Sequence, residues 1–329
     1  MRQNNTVMQP IPYLIIGAGL AGIAAARQLP EARILEKSRG PGGRMASKRL
    51  DANRADIGAQ FLTVRDSSFD VVIQSAAEAG AVAQWTPRMG AMRNGQLIGS
   101  PDQQSRYVGT PYMNALSQYL AADIDILPQV RASHVERHGP GYRVHCEDGQ
   151  VFDAERVLVT TPVDQMQALL SDFSVDVIRT RFAMAPTLTI VVESEKRHLM
   201  SADGPIEAAF GGDDPVLDFI SFDGSKPGRN NAYWVIHSTP EWISSRLEDD
   251  AFKSGQALYA YAASQLGLEG QLIHSHRWRY ARPVDPKTTA QKGVYQVDQG
   301  VWIAGDYLAG GRVEGAFLAG VEAARRLCA

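Results

Sequence analysis

The chain has 329 residues and a formal net charge of −3, with 44% hydrophobic and 21% charged residues. That balance is ordinary for a globular protein and gives no electrostatic reason to expect nucleic acid or an anionic membrane. The length allows two domains or one large one. No stretch approaches ~18 uninterrupted apolar residues, so no membrane-crossing helix is expected. Residues 1–9 are polar with a single charge at Arg2, unlike a signal peptide, and a cytoplasmic location is the expectation. Cys146 and Cys328 form no Cys-x-x-Cys, and the histidines show no His-x-x-x-His spacing, so no metal site is expected.

Tyr13-Leu14-Ile15-Ile16 reads as a short buried strand, followed by Gly17-Ala18-Gly19-Leu20-Ala21-Gly22 and an Ala-rich helix that stops before Pro30. A second apolar run, Arg33-Ile34-Leu35, ends in Glu36. Strand, Gly-x-Gly-x-x-Gly turn, helix and downstream acid form the dinucleotide-binding pattern. Gly17 allows the tight turn, Gly19 the approach of a pyrophosphate, and Gly22 close packing of helix on strand. Glu36 suits a ribose hydroxyl pair. An adenine dinucleotide is the expected ligand.

The next stretch, Lys37 to Ser47, holds Gly40-Pro41-Gly42-Gly43-Arg44 and cannot be regular structure. Alone it reads equally as a solvated basic loop or as backbone amides closing on phosphates. Taken with the first motif and Glu36, Gly42-Gly43-Arg44 resembles the FAD-binding pattern of the amine-oxidase-like flavoproteins. That resemblance implies FAD rather than NAD as cofactor. It implies cofactor-binding roles for Gly17, Ala18, Gly19, Gly22, Glu36, Lys37, Gly43 and Arg44. Asp56-Ile57-Gly58-Ala59-Gln60-Phe61 resembles the flavoprotein segment beside the isoalloxazine ring. Gln60 and Phe61 are then expected at the flavin, with Gln60 also within reach of substrate. A strand with a bulge glycine is the alternative.

Residues 67–109 mix weak helix with turn signals. Thr110-Pro111 then opens an expected helix to about Ala122. Strands are expected over 130–144 and 150–159, parted by turns at Gly139 and Gly149. The resemblance places a residue near Val130 at the adenine, although Gln129 and Arg131 fit almost as well. Beyond Val163, strands are expected over 187–193, 219–222 and 233–237, a capping box at Ser238-Thr239-Pro240-Glu241, and a helix over 250–265.

Leu272 to Ala281 reads as a strand with His274, His276, Trp278 and Tyr280 on one face and Ser275, Arg277 and Arg279 on the other. The aromatic face is either core or pocket wall. Trp278-Arg279-Tyr280-Ala281 resembles the renalase-like branch of these flavoproteins, which implies substrate-binding roles for Trp278, Arg279 and Tyr280, together with Gln60. Finally, the strand Val301-Trp302-Ile303-Ala304 ends in Gly305-Asp306, and Gly310-Gly311-Arg312-Val313-Glu314-Gly315 opens a helix. This resembles the C-terminal flavoprotein motif, in which Asp306 binds a ribityl hydroxyl and the amides of Val313 and Glu314 face the flavin N1 edge. No Cys or His lies between Gly305 and Gly315, so FAD is expected to be non-covalent.

The expected fold class is α/β: a Rossmann-type FAD-binding domain (1–66, 110–162, 294–329) carrying an inserted mixed α+β substrate domain (67–109, 163–293). The resemblance implies an oxidase that takes a hydride from 2- or 6-dihydro-NAD(P) to flavin N5, releases NAD(P)+ and reduces O2 to H2O2. No nucleic-acid or membrane partner is expected. Catalytic side chains are unassigned, because a dihydropyridine becomes aromatic on losing hydride and needs no strong base. The competing expectations are a flavin amine oxidase and, more remotely, a non-catalytic binding protein like the prenylated-GTPase dissociation inhibitors.

Overall fold

The apolar run ahead of the first glycine turn forms the strand Ile11–Ile16 in the computed structural model, which describes residues 9–51, 53–288 and 291–329. It pairs in parallel with Ala32–Glu36 on one side and Val151–Val159 on the other, Ile15 lying opposite Ile34 and Leu158. Strands sandwiched on both faces need continuous apolar sequence, and Leu14, Ile15, Ile34 and Val157 are all fully buried. Asp125–Pro128 extends this sheet beyond Ala32–Glu36. Val301–Ala304 adds in parallel to Val151–Val159. Gly141–Cys146, Ala132–His138 and Val294–Asp298 complete an eight-stranded sheet. The helices Leu20–Ala26 and Val313–Cys328 pack against it through Ala25, Ala319, Ala323 and Leu327.

A second sheet has seven strands in the order Gln271–Pro283, Met184–Glu193, Tyr233–Ser238, Leu217–Phe222, Ala208–Phe210, Met89–Arg93 and Gln96–Gly99. One face is covered by the helix Ala251–Leu266, whose Leu258 and Ala262 meet Leu188, Ile190, Trp234 and Ile236. That helix is capped by the Asp250 carboxylate and ended by Gly267 in the left-handed conformation.

The chain divides into two units along these sheets. The first takes the chain to Gly43, Leu120–Ala183 and Asp285–Ala329; the second takes Arg44–Tyr119 and Met184–Val284. These cuts fall elsewhere than the expected boundaries, dividing the second glycine loop after Gly43 and grouping residues 44–66 with the second sheet. A Rossmann-type α/β unit is thus interrupted by the segments of a mixed α+β unit, the expected fold class. No described helix is long and apolar enough to cross a membrane. Both cysteines are free, and the polar stretch at residues 1–8 lies outside the described residues.

Two local expectations are corrected. The helix expected from Thr110 forms only at Ala115–Leu120. Tertiary bonds hold the preceding residues instead: the Met113 amide donates to Asp56 Oδ1 at 2.9 Å and Arg229 Nε donates to the Pro111 carbonyl at 3.0 Å. The capping box at Ser238 is not made. Ser238 ends a strand, its Oγ accepting from the Leu188 amide, and Thr239 caps the helix Pro240–Ser244 one residue later, out of phase with Glu241. Residues 67–109 also hold more order than their weak signals suggested, a helix Ser67–Glu78 capped by Asp66 and four strands.

Candidate functional site

In the first unit, helix Leu20–Ala26 starts at Gly19 with no side chain capping it. A Cβ on Gly22 would lie 2.1 Å from the Gly17 carbonyl oxygen, so only glycine lets the helix return this close to its strand. A Cβ on Gly19 would meet nothing within 4 Å, which leaves open space ahead of the turn. Thr160, which no motif singles out, braces the turn from behind; its hydroxyl donates to the Ile16 and Gly17 carbonyls at 3.0 and 2.9 Å. The second glycine loop lies on the first: the Gly42 amide donates to the Ala18 carbonyl at 2.9 Å, and a Cβ on Gly43 would touch Gly19 Cα at 3.4 Å.

Glu36 is buried and accepts from the amides of Ala18 and Ser38, each at 2.7 Å. One bond per oxygen leaves lone pairs for a vicinal diol. Of the three candidates near position 130, Val130 alone is buried, and its amide donates to the Glu36 carbonyl at 3.0 Å. Lys37 is exposed and donates to Gln165 Oε1. At the other chain end Asp306 is buried, and its carbonyl accepts from the amides of Ala309 and Gly311. Val313 and the buried Glu314 open the helix Val313–Cys328. Open space before Gly19, a buried acid with free lone pairs and two glycine loops in contact fit an adenine dinucleotide.

In the second unit Gly58 is pressed against Arg44, whose carbonyl oxygen would sit 2.0 Å from an added Cβ and accepts from the Ala59 amide. Arg44 Nη1 donates to the Ala281 carbonyl at 3.0 Å. Trp278 Nε1 donates to the Ile57 carbonyl at 2.9 Å, and its ring meets His276 edge-on at 4.4 Å. Gln60, Phe61 and Trp278 therefore belong to one face of the second sheet, with Tyr280 half-buried nearby in the strand. Arg279 is not brought to them. It is exposed, on the face opposite Trp278, and its guanidinium is held bidentately by Glu248 at 2.7 and 2.9 Å.

Beneath Gln60 lies a charged group that sequence reasoning missed. Asp56, Asp223, Lys226 and Arg229 have no side-chain exposure, and each cation contacts both carboxylates. Burial pushes the Asp223 carboxyl up, but Lys226, Arg229 and the Asn231 amide outweigh it and hold its pKa below the ordinary carboxylate value. Lys226 Nζ and Ser221 Oγ both donate to Gln60 Oε1 at 2.9 Å, and Gln60 Nε2 faces His237 Nε2 at 3.4 Å. Burial, followed by the charges of Lys226 and Arg282, depresses the His237 pKa to about 3. The Asp-x-x-Lys-x-x-Arg spacing of Asp223, Lys226 and Arg229 was the one available signal in the sequence. Elsewhere, His134, Glu136 and Asp172 bring ligand-capable atoms within 4.8 Å of one another, a grouping across elements that histidine spacing does not reveal.

Residues 93–328 match the family described as flavin containing amine oxidoreductase, and residues 15–72 match the NAD(P)-binding Rossmann-like domain. The chain belongs to the flavin containing amine oxidoreductase family. It is an FAD-dependent oxidoreductase whose FAD is non-covalent. A 58-residue segment, 15% of the chain, is 47% identical to Protein FLOWERING LOCUS D of Arabidopsis thaliana, of which the chain covers only 7%. Two solved structures share the fold over nearly the whole chain. A Pyrococcus furiosus protein aligns with TM-score 0.67 and 12% identity, covering 96% of this chain and 97% of its own. An Exiguobacterium protein named as a protoporphyrinogen oxidase aligns with TM-score 0.70 and 13% identity, covering 97% and 98%.

Proposed function

We propose that this flavoenzyme is a renalase-like oxidase of 2- or 6-dihydro-NAD(P), forming NAD(P)+ and, with one solvent proton, reducing O2 to H2O2. The observation that carries the reading is the charge on the site face of the second unit. Its buried carboxylates, Asp56 and Asp223, are both committed to Lys226 and Arg229, and Arg282 is paired with Asp218. An ammonium substrate would find no counterion there, whereas an uncharged dihydropyridine needs none.

Bound FAD supplies the hydride acceptor at N5 and a route for the electron pair to O2. In this reading Glu36 would hold the adenosine ribose, Asp306 the ribityl chain, and the Val313 and Glu314 amides the electron-rich flavin edge. Substrate aromatises as hydride leaves, so the side chains need only hold a flat ring at ~3–3.5 Å from its acceptor and exclude water. Gln60, Phe61, Trp278 and Tyr280 are assigned to that work; Arg279, held by Glu248, is left to the surface.

The test is anaerobic reduction of the purified holoenzyme, followed by flavin absorbance. Isomeric dihydro-NAD(P) should bleach the flavin, and alkyl amines, which are ammonium ions at neutral pH, should not. Bleaching by amines alone would replace this reading with amine oxidation, the activity the family name suggests.

A further inference from the structure

Cross-strand register lines up one row of side chains on the site face of the second sheet. Thr189 lies opposite His276 on one side and His237 on the other; His237 lies opposite Phe219, and Phe219 opposite Phe210. Residues directly opposite share a face. Phe61 closes over the row's end, 5.6 Å from Phe219 and 6.3 Å from Phe210 between ring centroids, and Phe210 keeps 36% of its surface exposed. The Thr189 hydroxyl, fully buried in the middle of the row, has no hydrogen-bond partner among the described residues.

The hydrogen bonds around His237 fix which of its nitrogens carries a proton. Lys226 Nζ has only donors, and together with Ser221 Oγ it occupies Gln60 Oε1, so the carbonyl end of that amide is assigned by the network. The amide nitrogen also donates to the Asp56 and Gly58 carbonyls at 2.6 and 3.0 Å. Those two carbonyls take both amide protons, and the amide nitrogen that faces His237 Nε2 at 3.4 Å has no lone pair to accept with, so a proton on Nε2 would find no acceptor there and the ring proton is placed on Nδ1. Protonating Nε2 would set N–H against N–H with Lys226 close behind. The low pKa of His237 agrees with a ring that stays neutral.

We infer that this row is the substrate seat of the second unit, and that the Nδ1–H of His237 is its fixed donor, selecting a flat, uncharged ring that bears a carbonyl acceptor. The inference rests on the dihydronicotinamide reading, because a nicotinamide ring carries such an acceptor in its carboxamide. Gln60 and Lys226 are positioning residues that act through the tautomer. Lys226, bonded to Gln60, and Arg106, whose guanidinium lies 5.2 Å from the Phe61 ring centroid, place positive charge beside the row and so disfavour a cationic amine.

Two substitutions separate the nitrogens of the ring. His237→Gln keeps an acceptor facing Gln60 and removes the donor at the Nδ1 position; His237→Asn keeps that donor and removes the acceptor. Loss of one neutral hydrogen bond should raise KM for the dihydronucleotide about fivefold to tenfold in H237Q, and clearly less in H237N. The dissociation constant of free nicotinamide for the oxidised holoenzyme, read from flavin difference spectra, should move in the same order. Flavin content reports whether each variant folds and loads. Should both fail to load, the imidazole 15N spectrum of the wild-type holoenzyme still decides: a proton on Nδ1 alone is expected, and a proton on Nε2 overturns the inference. Equal losses in the two variants, or none in either, also overturn it. If wild type binds nicotinamide through His237 but is not reduced by isomeric dihydro-NAD(P), the proposed activity fails while the seat stands.

Discussion

Two buried negative charges balance two buried positive ones in Asp56, Asp223, Lys226 and Arg229, and the group is joined to His237 through Gln60. This makes the protein sensitive to acid in a stated direction. An unfolded His237 takes up its proton near the ordinary value of 6.5, whereas the folded one refuses it until about 3. The unfolded state therefore binds more protons between those values, and stability is lost as the pH falls through that window. His274, lowered to about 4 by burial, Lys48 and His276, acts in the same direction, as does the depressed Asp223. Urea unfolding of the holoenzyme should give a lower stability at pH 5 than at pH 7, with His237 contributing up to about 1.4 kcal/mol per pH unit. A flat profile from pH 7 to pH 5 would show that the imidazoles are not held neutral. The acids at Glu36 and Asp306 were legible because motif spacing fixes their place. Lys226 was not, since its burial depends on Asp56, 170 residues away.

Strands and helices were legible wherever burial imposed a period, as in Ile11–Ile16, Val301–Ala304 and Ala251–Leu266. The alternation along Gln271–Pro283 also put His276 and Trp278 on one face and Arg277 on the other, as the register shows. What no single strand reveals is register between strands, and the row from His276 to Phe210 exists only through it. Helix packing was likewise silent at Gly320, an unremarkable position in the sequence. A Cβ there would lie 2.1 Å from the Ala21 carbonyl oxygen, so Val313–Cys328 crosses Leu20–Ala26 in backbone contact. Gly320→Val must push the two helices apart, at a cost of about 1–3 kcal/mol or more. The expected outcome is a lower Tm together with reduced FAD content, because the displaced helices carry Gly22 and Glu314. An unchanged Tm would mean that the helices do not meet at that glycine.

At the scale of the molecule, the first unit is assembled from three separate stretches of chain. Its sheet needs the last of them. Val301–Ala304 pairs in parallel with Val157, Leu158 and Val159, and Ala319, Ala323 and Leu327 complete the core around Ile15, Ala25 and Leu29. The second unit closes its own sheet between Arg44 and Tyr119 and between Met184 and Val284, and needs none of that stretch for its strand pairing. A chain ended after Val284 should therefore lose flavin and the near-UV signature of the first unit in one step, since Leu158 and Ala25 would be bared to water along with the loss of Asp306 and Glu314. Its second unit should still protect the amides of Met184–Glu193 and Tyr233–Ser238 from hydrogen exchange, because their ladder is complete without it. Retained flavin would contradict the role given to the Asp306–Glu314 segment. Uniform loss of protection in both sheets would show instead that the two units fold only together.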